Sequence, residues 1–165
     1  MHKVVQIDEL LGRKQLFRLL HVFLRHPTTE FLQKELREKT KLAKATLIKW
    51  LKFLANNRLI LMWQKGNIHL YQLNKNNPIV KQLKILSSIA ELNPFGELGK
   101  EFSCRIFLYG SAARGEDHEN SDIDILIVGE IGRRTITEAI GKAFPLSFPK
   151  IKVQIFTPLD WSLMA

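Results

Sequence analysis

The chain has 165 residues, 45% apolar and 25% charged, which suits one ordinary domain or two small ones and reads as soluble and globular. No apolar run approaches the ~20 residues that span a bilayer, and the N-terminal MHKVVQIDELLG lacks a signal peptide's apolar core and small-residue cleavage site, so a cytoplasmic location is expected. Cys104 is the single cysteine, which excludes an intrachain disulfide, and the five histidines have no zinc-type spacing with it. Net charge is +9, all of it from one half: residues 1–80 hold 15 Lys+Arg against 5 Asp+Glu, residues 81–165 hold 10 against 11. Such asymmetry argues for two modules, the first with a polyanionic partner.

Over residues 5–26 the apolar positions Leu10, Leu11, Phe17, Leu20, Phe23 and Leu24 recur at helical spacing, and Pro27 ends the run. Gly12 interrupts it, so residues 15–25 are the firmer part. Thr28 or Thr29 is expected to cap a second helix with Phe31, Leu32 and Leu36 inward. A third helix is predicted over residues 43–56, with Leu47, Trp50, Leu51 and Leu54 inward and Lys44, Thr46, Lys49 and Lys52 outward. Residues 59–63 and 68–73 then read as two strands joined by a hairpin turn with Gly66 near its tip.

Three helices with a basic third, followed by a hairpin, is the order of a winged helix-turn-helix. The run AKATLIKWLKFLANNRLILMWQKGNIHLYQLN, residues 43–74, resembles the recognition-helix-and-wing segment of small microbial transcriptional regulators. That resemblance implies double-stranded DNA as partner, with the third helix in a major groove and Lys65 at the wing tip near the backbone or minor groove. Lys41, Lys44, Lys49, Lys52 and Lys65 are the expected phosphate contacts, and Thr46 the side chain that can touch a base edge. The bland alternative, a solvated helix face, stays open for the lysines.

After the polar break at residues 74–77, Pro78 starts a helix whose apolar stripe is Ile79, Val80, Leu83, Leu86, Ile89 and Leu92. It could pair two copies as a homodimer or simply connect the modules.

The chemistry-bearing stretch is residues 106–128, IFLYGSAARGEDHENSDIDILIV. An apolar strand leads into Gly110-Ser111, where free backbone N–H groups, a hydroxyl and a missing Cβ suit a phosphate. A second apolar strand begins with Asp122 and Asp124, which alternation puts on one face, opposite Ile123, Ile125 and Ile127. Neighbouring carboxylates repel unless a cation is present, and Mg²⁺ is commonly held by one or two carboxylates plus substrate phosphates. Arg114 is placed to reach a phosphate or to stay on the surface; Glu116, Asp117 and Glu119 read as a solvated acidic loop. A structural turn and a solvated strand end are the plain alternatives for the two motifs.

Gly-Ser, ten intervening residues and Asp-x-Asp, with an apolar strand on each side, resemble the signature of the nucleotidyltransferase superfamily that includes DNA polymerase beta, in its minimal nucleotidyltransferase branch. The resemblance implies an α+β chain: a winged helix-turn-helix over residues 1–77, a linker helix over 78–98, and a small nucleotidyltransferase-fold domain with a mixed sheet over 99–165. Its strands would be residues 103–109, 122–128 and 150–156, with a helix over 133–144. It also implies Mg²⁺-dependent transfer of a nucleotidyl group, AMP from ATP foremost, to a hydroxyl of a protein or other acceptor. Asp122 and Asp124 would be catalytic metal ligands, and Gly110, Ser111 and Arg114 would hold the nucleoside triphosphate. Family members are often encoded beside a toxin-like helical partner. The departure is the third carboxylate, which activates the attacking hydroxyl: its position matches Gln154, neutral, a poor Mg²⁺ ligand and no base. Asp160, beyond Pro158, is not expected to substitute. Related proteins continue with at least one more helix, so the chain is expected to be short or cut. A DNA-binding regulator that binds nucleotide without turnover is the alternative function.

Overall fold

The computed structural model describes residues 12–146 and 148–164. They form two compact units, with the division between Leu83 and Lys84. Residues 5–11, the expected start of the first helix, lie outside the described residues.

In the first unit, α1 (Lys14–Arg25) buries Leu16, Leu19, Leu20, Phe23 and Leu24, a stripe at three- and four-residue spacing. The chain next departs from the expected helix cap. Phe31–Leu32 is a two-residue strand, β1, pairing antiparallel with the last strand of the unit (Phe31↔Tyr71, Leu32↔Leu70). The aromatic side chain of Phe31 gains more from burial edge-on to Phe23, 5.7 Å between centroids, than the local threonine cap offers. The helix therefore starts later than a threonine cap would set it, as α2 (Gln33–Thr40), and Glu35 reaches back to accept the Leu32 N–H at 2.7 Å.

Helix α3 (Lys44–Asn56) turns Leu47, Trp50, Leu51 and Leu54 inward, as its periodicity predicts. Strands β2 (Ile60–Lys65) and β3 (Ile68–Leu73) pair antiparallel with Lys65 opposite Ile68, so Gly66-Asn67 is a two-residue turn, and Gly66 adopts the φ of +61° that it requires. The sheet order is β1-β3-β2. Leu16, Leu19, Leu20, Phe23, Leu36, Leu47, Leu54 and Leu59 are fully buried in one core; each such side chain contributes about 1.5–3 kcal/mol of transfer free energy.

Helix α4 (Pro78–Glu91) runs across the division: Val80 and Leu83 are buried in the first core, whereas Leu86 and Ile89 are exposed. The second unit continues with α5 (Pro94–Glu101), a short helix started by Pro94 that the sequence pattern did not reveal. Then come β4 (Arg105–Tyr109), the short α6 (Gly110–Ala113), β5 (Ile123–Val128), α7 (Arg133–Ala143), β6 (Ile151–Phe156) and α8 (Pro158–Met164). Strand β5 is central, antiparallel to β4 and parallel to β6, so the three-stranded sheet is mixed. Its odd-numbered Ile123, Ile125 and Ile127 are buried with Phe95, Cys104 and Ile136. The free Cys104 thiol is pushed up by burial. A Cβ at Gly129 would lie 2.5 Å from the Cβ of Cys104, so glycine is what lets the chain pass there. After β6, α8 stacks Trp161 on Phe107, 5.8 Å between centroids.

Candidate functional site

The sheet pairing of the second unit brings the end of β4 and the start of β5 together. Tyr109, the last residue of β4, stands opposite Asp124. The chain then turns at Gly110 with φ +72°. A Cβ built there would lie 2.3 Å from Asp124 Oδ2, so the carboxylate rests against the glycine backbone in space that any side chain would fill. Ser111 follows in α6, and its carbonyl accepts the N–H groups of Arg114 (3.1 Å) and Glu116 (2.9 Å), which closes the turn. Gly115, also at positive φ (+66°), lets the chain leave it. Gly110, Ser111 and Asp124 are thus gathered at one point, with Asp122 two residues upstream and on the same side by alternation.

Arg114 is exposed and its Nε donates to Glu116 at 2.9 Å. The acidic loop is not merely solvated. Asp117 takes an ion pair at 3.0 Å from Lys84, an ammonium only 3% exposed, which also donates to the Asp117 carbonyl. A buried lysine must be paired, and this one ties the loop between the two motifs to the second unit's part of α4. The apolar neighbours of Lys84 in sequence hid it.

The position expected for the third carboxylate lies on β6, beside a lysine that the motif does not include. Gln154, expected to take it, pairs with Leu126, whereas Lys152 pairs with Asp124. Both project to the exposed face of β6, but Gln154 is a full two-residue repeat further from Asp122. Lys152 Nζ donates to Asp122 Oδ2 at 2.6 Å. That hydrogen bond is the chief cause holding the Asp122 carboxyl below the usual carboxylate range, with slight burial opposing it and the charges of Lys152 and Lys150 reinforcing it. Lys152 is raised in turn, first by its bond to Asp122, then by that carboxylate's charge, with Asp124 and Tyr109 adding to it. Sequence reasoning missed Lys152 because the motif drew attention to Gln154. Parallel pairing and alternation alone point to it.

These donors decide what the site could hold. Asp124, with Asp122 beside it, fits one hard cation that brings phosphate oxygens of its own. A pair of metal ions does not fit: no group of three or more His, Cys, Asp or Glu among the described residues could hold a metal, and a lysine occupies the flank of Asp122.

In the first unit Lys44, Lys49 and Lys52 are exposed on α3, and Thr46 is half-buried beside them. Lys49 Nζ lies 4.9 Å from the Trp50 ring centroid. Lys41, exposed, follows α2 in the left-handed region (φ 54°), and Lys65 is exposed at the end of β2. Lys49 and Lys52 lie on the arc opposite the buried stripe; Lys44 and Thr46 flank it.

Among known proteins, the family model of the nucleotidyltransferase domain matches residues 84–154. The match begins at the first residue of the second unit and runs through β4 and β5 into β6, including Gly110, Ser111, Asp122 and Asp124. It supports the nucleotidyltransferase superfamily for this unit. No curated protein and no solved structure matches the chain. No helix among the described residues is long and apolar enough to cross a membrane.

Proposed function

We propose that this chain is a DNA-binding regulator whose nucleotidyltransferase domain binds a nucleoside triphosphate, ATP foremost, without turning it over. The observation that carries the nucleotide site is the seat of the Asp124 carboxylate on the Gly110 backbone, at the head of the Ser111 turn. Mg²⁺ would be held by Asp124 and Asp122 together with the phosphates, and it would supply charge neutralisation there. Ser111 would donate to the β- and γ-phosphates, and Arg114 lies close enough in sequence to exchange Glu116 for a phosphate. Gln154 argues against turnover: at the position where the family's third carboxylate activates the attacking hydroxyl it is neutral and no base, and the neighbouring Lys152 is engaged on Asp122.

The first unit fits a winged helix-turn-helix. Supporting this are the order α1-β1-α2-α3-β2-β3, the exposed lysines of α3, and a hairpin with Lys65 at its end. Its partner would be double-stranded DNA, read through phosphates more than bases. A homodimer through the exposed Leu86 and Ile89 of α4 accords with such regulators, as does a cytoplasmic place.

A second reading keeps catalysis: transfer of AMP from ATP to a hydroxyl of a protein, a toxin-like partner included. The family match favours it. Incubation with α-³²P-labelled ATP, Mg²⁺ and candidate acceptors separates the two. Transfer that vanishes in Asp124→Ala establishes the second reading; binding of ATP with no transfer to any acceptor is the expected result of the first.

A further inference from the structure

Two carboxylates on one strand face repel unless their charge is balanced. Here the balance comes from the chain itself. Lys152 lies 2.6 Å from Asp122, with Asp124 opposite it in the pairing. Lys150 reinforces Asp122 from the same strand entry, where its carbonyl accepts the Ile123 N–H at 2.8 Å. Resting on the nucleotide-site reading above, we propose that Lys152 is a resident cation of this site. It limits the site to one divalent ion, loaded through Asp124 and only together with nucleotide phosphates.

The physical argument is one of competition. A divalent ion on Asp122 must displace the ammonium from Oδ2 and then tolerate it as a like charge a few ångströms away. Asp124 alone is a poor site for an ion that needs six oxygens and gives up water reluctantly. Triphosphate changes both terms, because it brings oxygens for the metal and negative charge that Lys152 attracts. The same lysine therefore opposes metal alone and favours metal with polyphosphate. Without a third carboxylate, this site takes its metal and its nucleotide phosphates together.

The test is a titration of the full chain with Mn²⁺ alone, read by the electron paramagnetic resonance of free Mn²⁺, on wild type, Lys152→Arg, Lys152→Met and Lys152→Asp. Wild type and Lys152→Arg should bind Mn²⁺ weakly and alike. Lys152→Met should bind about fivefold more tightly and Lys152→Asp more tightly still. Lys152 is half exposed, so these variants are expected to keep the fold, which circular dichroism checks. Equal Mn²⁺ affinity across all four proteins, or tight binding by wild type, overturns the resident-cation role. A parallel titration of ATP, with and without Mg²⁺, addresses the reading beneath it: wild type that takes ATP in neither condition overturns the nucleotide site and the joint loading, whatever the Mn²⁺ contrast shows.

Discussion

The two units solve different problems with the same kind of chain. In the first, leucines and Phe23 are sealed into a single core, and the polar residues are left outside as a basic surface. In the second, fewer residues are fully buried: Ile127 is sealed, but Ile106, Leu108, Ile151, Val153 and Ile155 are only partly covered. The face of its sheet opposite the isoleucines carries Asp124, Lys152 and Gln154 toward one end and Phe107 and Phe156, packed with Trp161, beyond them. The first unit's exposed charge is mostly basic, with Lys44, Lys49 and Lys52 along α3; the second sets both signs side by side, Lys152 2.6 Å from Asp122. On the reading proposed above, function in the first resides in spread-out charge, and in the second in the position of a few atoms.

The largest effects should fall on the first core. Phe23→Ala should destabilise the first unit by about 3–5 kcal/mol, whereas Ile127→Val should cost the second only about 0.5–1.5 kcal/mol, both read by denaturant melts. Next is Gly110→Val. With φ +72° and a Cβ driven into Asp124, ATP binding should vanish while DNA affinity holds; retained ATP binding would detach the turn from the site. For the basic surface, Lys49→Ala/Lys52→Ala should reduce the slope of log affinity for duplex DNA against log salt by roughly 0.9 for each phosphate left without its lysine. An unchanged slope would make these lysines a solvated face. Smallest is Arg114→Ala, an exposed pair whose removal should change stability by less than about 1 kcal/mol; a drop in ATP affinity would place it on a phosphate.

The pH dependence sharpens the same contrast. Asp122 is depressed, so its pairing is complete above the ordinary carboxylate pKa and is lost as pH falls through the lowered value. Lys152 is raised, so its share is complete below the ordinary lysine pKa and is lost as pH rises through the raised one. The difference in Tm between wild type and Lys152→Met should stay constant from about pH 5 to 9 and change only outside that window.

Regular patterns in the sequence were legible because burial follows period. The inward stripe of α3 and the Ile123-Ile125-Ile127 face of β5 needed no tertiary knowledge. So was the mixed three-stranded sheet, through the motif that marks it. What escaped depended on partners distant in sequence. Phe31–Leu32 became a strand because Tyr71 and Leu70 offered a ladder. Lys84 found Asp117 thirty-three residues on. At the site, Asp122 and Asp124 stood out by their spacing, but Lys152 became visible only once the β5–β6 register was known.

The most direct measurement is a calorimetric titration of ATP into the full chain with Mg²⁺, repeated without metal and on Asp122→Ala/Asp124→Ala. Binding that Mg²⁺ strengthens and the double variant loses, with no pyrophosphate released, is the expected result. No heat of binding in any condition would mean that the second unit keeps the fold without the site.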